Sequence, residues 1–169
     1  MISEEIRKSD QSRSVRGKMI HLGGCAVELS NRNEESQVQL AAIYATTVIV
    51  FLALDAIMLK FVMRPLFSQH IGNWLLDDIR ILPAVGFYLF YVAGIVWFVS
   101  MPAFKSGATS QAMIAGAFLG AIAYGTYEFT NYATLKNWSP SMVAVDVIWG
   151  AILTGFSAWV GVAAVKAMA

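Results

Sequence analysis

The chain has 169 residues, a formal net charge of +1, 57% hydrophobic residues and 14% charged ones, against roughly 45 to 50% and 25% in soluble domains. That balance is that of a polytopic membrane protein, and so small a charge gives no electrostatic reason to expect a nucleic-acid partner. The single Cys excludes an intrachain disulfide and any Cys-based metal cluster.

Residues 1 to 37 carry six Lys or Arg and six Asp or Glu without sustained apolar periodicity. Such a segment buries no core of its own, so the expectation is a polar N-terminal tail, disordered or bound to a partner. Its acidic residues and lack of an apolar stretch argue against a transit peptide or secretory signal.

Beyond the tail come four charge-free runs: 19 residues between Glu35 and Asp55, 24 between Arg80 and Lys105, 22 between Lys105 and Glu128, and 19 between Asp146 and Lys166. A helix crossing the hydrocarbon core needs about 20 such residues. The spacing predicts an all-α bundle of four transmembrane helices over 38–63, 81–101, 109–135 and 140–166, forming one membrane domain of residues 38–169. The connections are short apart from 64–80. Pro83 falls in a first helical turn, where its missing N–H costs little, and Pro102 is expected to follow the end of the second helix. Ser139 and Pro140 read as N-cap and first position of the fourth. Trp74 and Trp138 read as interfacial anchors. Arg64, Arg80 and Lys136 balance Arg32, Lys105 and Lys166 across the two faces, so only the tail's further basic residues favour an inside N-terminus.

Three carboxylates, Asp55, Glu128 and Asp146, interrupt these spans. Because the helices alternate direction, the first and third end on the face where the fourth begins. Asp55 lies eight positions before residue 63, Glu128 seven before 135, and Asp146 six after 140. At 1.5 Å per residue these are depths of ~9 to ~12 Å, within a half-bilayer of roughly 15 Å. Ionisable groups at such depth face the bundle interior or a water-filled cavity and mark a candidate site. Each has helically spaced company: Tyr44, Thr47 and Phe51 with Asp55; Gly116, Gly120, Tyr124, Tyr127 and Asn131 with Glu128; Trp149, Gly150, Leu153 and Ser157 with Asp146. Candidate binding residues are therefore Asp55, Glu128, Asp146, Asn131, Tyr127, Trp149 and Thr130. Like charges in one dry layer cannot all ionise unaided, so the layer should hold protons, a bound cation or a basic side chain. The same groups could instead fix helix register through buried hydrogen bonds, with no ligand at all.

No signature completes an enzyme. His21 and His70 lie outside the spans, which removes the usual haem ligand and the commonest transition-metal ligand. No phosphate loop, zincin pattern or nucleophile elbow is present. No catalytic residue and no cofactor is assigned.

Phe51-Leu52-Ala53-Leu54-Asp55, Phe87-Tyr88-Leu89-Phe90-Tyr91-Val92-Ala93-Gly94, the run from Tyr127 to Trp138 and Val145-Asp146-Val147-Ile148-Trp149-Gly150 together resemble the small bacterial integral membrane proteins grouped as domain of unknown function 2177. The resemblance covers about residues 38 to 166. Glu128 stands where that family usually shows Asp, Met58 where it shows Trp, and Lys60 where it shows a small residue. The resemblance implies four spans and a bacterial inner-membrane location, makes the tail peculiar to this chain, and supplies no activity.

Three functions fit these residues. The first is an intramembrane acidic layer binding a proton, a hard cation or a cationic small solute, coupled to transport and requiring at least a dimer. Oxygen ligands of this kind suit hard cations. The second is a structural or accessory subunit of a larger membrane complex, with the tail docked on a partner. The third, and the weakest, is a lipid-modifying enzyme using one of the acids as general acid.

Overall fold

The computed structural model describes the backbone of residues 2–168 apart from Asp77, and side chains from Glu28 onward. The charges and the Cys before Glu28, on which much of the tail's reading rests, lie outside the described side chains. Among the described residues there is no strand.

Helix α1 spans Ile2–Met58 and passes through a π-helical turn, Leu59–Met63, into α2, Arg64–Ile71. Helix α3 spans Ile81–Ile95 and passes through a second π-helical turn, Val96–Ser100, into α4, Met101–Ser106. Then come α5, Thr109–Thr134, and α6, Pro140–Met168. The stretches Glu28–Trp74, Ile81–Ser106 and Pro140–Met168 are long and apolar enough to cross a membrane. Helix α5 has the length, at 26 residues, but Tyr124, Tyr127, Glu128 and Asn131 dilute its apolar character.

Helices α5 and α6 match the sequence expectation to within two residues. The Ser139 hydroxyl accepts the Met142 N–H at 3.3 Å, and Pro140 opens α6, as their residue types dictate. The second helix differs from expectation, because Pro102 lies inside a continuous rod that runs to Ser106. The reason lies in the turn before it. Met101 N–H bonds to the Val96 carbonyl, five residues back. This wider turn accommodates a proline that cannot donate and whose ring would crowd the carbonyl four residues earlier. The first helix repeats the device: Arg64 N–H bonds to Leu59 O immediately before Pro65. The rod of α4 stops at Gly107, whose φ of 77° belongs to the left-handed region that glycine reaches without penalty. Lys166 Nζ donates to the Gly107 carbonyl.

The chain forms two units, Met1–Gln39 and Leu40–Ala169. In the first, Glu28 and Arg32 stand one turn apart with 3.8 Å between carboxylate and guanidinium, both highly exposed.

The second unit is built around the α5–α6 pair. Gly116 and Gly120 on α5 lie against Gly155, Thr154 and Gly150 on α6. A Cβ on Gly116 would stand 2.9 Å from the Gly155 Cα, and one on Gly155 would stand 2.6 Å from the Met113 carbonyl. The backbones therefore touch, as small residues permit inside a membrane. The core continues through Ile43 and Phe51 of α1 and Val92, Ile95 and Val99 of the α3 rod. Outward, the same helices present Ile49, Phe61, Trp97, Phe98, Ile114 and Phe118, each about two-thirds exposed or more. Polar groups inside and large apolar groups outside is the arrangement a lipid solvent demands.

Candidate functional site

All three carboxylates lie in the interior of the second unit. Glu128 is fully buried and Asp55 is 3% exposed, while Asp146 is half-buried. The antiparallel register of α5 and α6 puts Glu128 and Asp146 at the same level, their carboxyls within hydrogen-bonding reach of each other. Asp55 arrives from α1 and is near enough for its charge to act on Asp146.

Each acid has one orthodox donor or a conditional one. Trp138 Nε1–H donates to Glu128 Oε2 at 2.7 Å, and Trp149 Nε1–H donates to Asp55 Oδ1 at 3.4 Å. Glu128 Oε1 and Asp55 Oδ2 are buried without a donor. The group beside Glu128 is another carboxyl, which donates only when one of the two carries a hydrogen. The Tyr88 hydroxyl lies beside Asp55. The Tyr124 hydroxyl, buried and unpartnered, lies near Asp55, Asp146, Tyr88 and Tyr91.

No cation among the described residues forms an ion pair with these acids. Among the described residues the only ion pair is Glu28 with Arg32, and Lys60, Arg64 and Lys136 are all exposed. Lys60 turns its ammonium over the Phe61 ring, 5.5 Å from the centroid, which follows from its standing five residues from Asp55, off that residue's face. Among the described residues no group of three His, Cys, Asp or Glu side chains is arranged to hold a metal ion.

The other candidate residues divide. Trp149 is a direct partner of Asp55. Asn131 is half-buried, beside the Tyr127 hydroxyl one turn away. Tyr127 is 55% exposed and meets the site through its ring, which stands edge-on to Trp138 at 5.7 Å between centroids. Its hydroxyl pairs with the Asn131 side chain and still feels the charges of Glu128 and Asp146. Thr130 is exposed, and its carbonyl accepts the Thr134 hydroxyl at 2.9 Å; α5 carries its side chain to the face opposite Glu128.

Trp138 was expected as an interfacial anchor and is instead 6% exposed. It packs with Ile71, Met142 and Val143, supported by Leu66 and Phe67, and its ring stands at 88° to that of Phe67. The 64–80 connection, read as a loop, contributes α2 to this apolar cap. Tyr88 and Tyr124 also belong to the site; sequence signals existed in the three- and four-residue steps of α5, but an aromatic on a helix is far more often packing.

The family model of domain of unknown function 2177, described as a predicted membrane protein, matches residues 40–163. The chain belongs to this family. The match spans α1 from its interior through most of α6, and so covers all three acids of this member, with Trp138 and Trp149. No curated protein and no solved structure matches the chain.

Proposed function

We propose that this family member is a four-span bundle of the bacterial inner membrane whose Glu128–Asp146 pair, with Asp55 beside it, binds and releases a proton. The observation that carries this reading is the α5–α6 register, which brings two interior carboxyls to one level beside each other with no ion pair to them among the described residues. Two like charges in contact in a water-poor interior repel strongly, whereas one hydrogen between them turns repulsion into a bond. Trp138 holds Glu128 in place, so Asp146, the half-buried member, is where a proton enters or leaves.

A hard cation fits less well, because its several oxygen ligands would have to converge. An accessory-subunit role draws on the same bonds as register pins and on a partner for residues 1–37. A lipid-modifying activity is the weakest reading, because no sequence motif supplies an activated nucleophile, metal site or cofactor to complete a mechanism.

The test is infrared difference spectroscopy of the full chain in lipid. The expected result at neutral pH is a protonated-carboxyl band that shifts in heavy water and disappears in both Glu128→Gln and Asp146→Asn. A spectrum lacking that band, or one that keeps it in both variants, refutes the proton site.

A further inference from the structure

We propose that Tyr124, Tyr91, Thr154 and Ser157 form a hydroxyl relay that conducts protons between the acid layer and the opposite half of the bundle. This rests on reading the acid pair as a proton site and adds a path to it.

The path begins at Tyr124. Its ring lies flat across α6 where Gly150 leaves no side chain, since a Cβ on Gly150 would enter that ring. Its hydroxyl is buried and bonds to nothing, and it lies within electrostatic range of Asp55, Asp146, Tyr88 and Tyr91. A buried phenol kept out of hydrogen bonds costs free energy that a phenylalanine would avoid. A group that hands protons between an acid and another hydroxyl must be free to turn, which an unpartnered hydroxyl is.

The next step is made. Tyr91 Oη and Thr154 Oγ1 are 3.2 Å apart, and either can donate. Thr154 is fully buried and faces this seam where Gly120 opposite it carries no side chain; a Cβ there would stand 2.7 Å from Thr154 Oγ1. One turn further along α6, Ser157 is fully buried with its hydroxyl unpartnered. Asp146, Gly150, Thr154 and Ser157 recur at steps of four, four and three, hence on one face. The eleven residues from Asp146 to Ser157 span ~16 Å, about half the hydrocarbon thickness.

Each transfer is balanced. A hydroxyl oxygen accepts a proton from the preceding group while its own O–H bond breaks toward the next, and at Ser157, where the series ends, the released proton passes to a water reaching it from the opposite face, so no side chain keeps a charge. A water can join hydroxyls standing more than one hydrogen bond apart.

The experiment uses the full chain reconstituted in liposomes with an entrapped pH-sensitive dye and a potassium diffusion potential. Proton flux is expected from the parent and from Tyr44→Phe, whose hydroxyl is committed to the Leu89 carbonyl. Tyr124→Phe and Thr154→Val should each slow the flux roughly a hundredfold, the scale of a lost positioned proton-transfer group, while keeping the carboxyl infrared band. If the parent shows the band but no flux, or if both variants conduct like the parent, the relay is wrong and the proton site stands. If the band itself is missing from the parent, both readings fall. Loss of flux together with loss of the band in both variants indicates a disturbed bundle and counts against the relay.

Discussion

Trp138 donates its indole N–H to Glu128 at 2.7 Å from inside an apolar cap, ten residues along the chain and across the α5–α6 turn. The bond closes the corner between the two helices that carry the carboxyl pair. It leaves Glu128 with one oxygen held and the other buried without a donor. Trp149 and Asp55 repeat the chemistry more loosely, at 3.4 Å.

Removing the first of these donors is therefore expected to cost more than removing the second. Trp138→Phe leaves a buried carboxyl oxygen without a donor and should destabilise the bundle by roughly 1–3 kcal/mol, whereas Trp149→Phe should cost below about 1 kcal/mol. Detergent-denaturation midpoints of the two variants measure this. Equal costs, or a larger one for Trp149→Phe, would show that the indole bond to Glu128 is not what holds the corner.

The glycine seam makes a second prediction. On α5 and α6 the pairs Glu128 with Asp146, Tyr124 with Gly150 and Gly120 with Thr154 advance by four residues on each helix. Gly155→Ala puts a methyl 2.6 Å from the Met113 carbonyl, and overpacking of this kind should cost roughly 1–3 kcal/mol. Because one register serves packing and site alike, it should also weaken the carboxyl infrared band. Gly86→Ala, which meets nothing within 4 Å, should leave the denaturation midpoint unchanged or raise it by up to about 1 kcal/mol through helix propensity. A tolerated Gly155→Ala would mean that the helices can part without loss.

Topology supplies a third. The proposed four spans would place the Gly107 turn and the Asn137 turn on opposite faces of the membrane. In a Cys25→Ser background, Ser106→Cys and Asn137→Cys should react with an impermeant maleimide from opposite sides of sealed vesicles. Labelling of both from one side would leave α5 outside the hydrocarbon and remove the intramembrane setting of Glu128.

Much of this architecture was legible because lipid imposes a one-dimensional rule. A span must be long and uncharged, so counting from Arg80 to Lys105 or from Asp146 to Lys166 marks helices α3 to α4 and α6 without knowledge of any contact. Counting also sets depth, because rise per residue is fixed. That is how Asp55, Glu128 and Asp146 fall into one layer on paper, and why Ser139 and Pro140 mark a helix start.

What counting cannot supply is rotation and pairing. Whether Trp138 faces lipid headgroups or turns inward depends on α2 folding over it, which is set by a widened turn before Pro65 and by contacts with Phe67 and Ile71. Tyr127 and Tyr124 are three residues apart on one stripe, yet one pairs its hydroxyl with Asn131 and the other buries it unpartnered. The Tyr124 ring takes the slot that the missing side chain of Gly150 leaves on α6. Sequence alone thus determined the helices and the level of each acid along its own helix, because apolar run length and helical rise act on each segment separately. The tertiary structure decided which groups touch, because close approach at the α5–α6 glycines fixes a register and facing that no single helix contains.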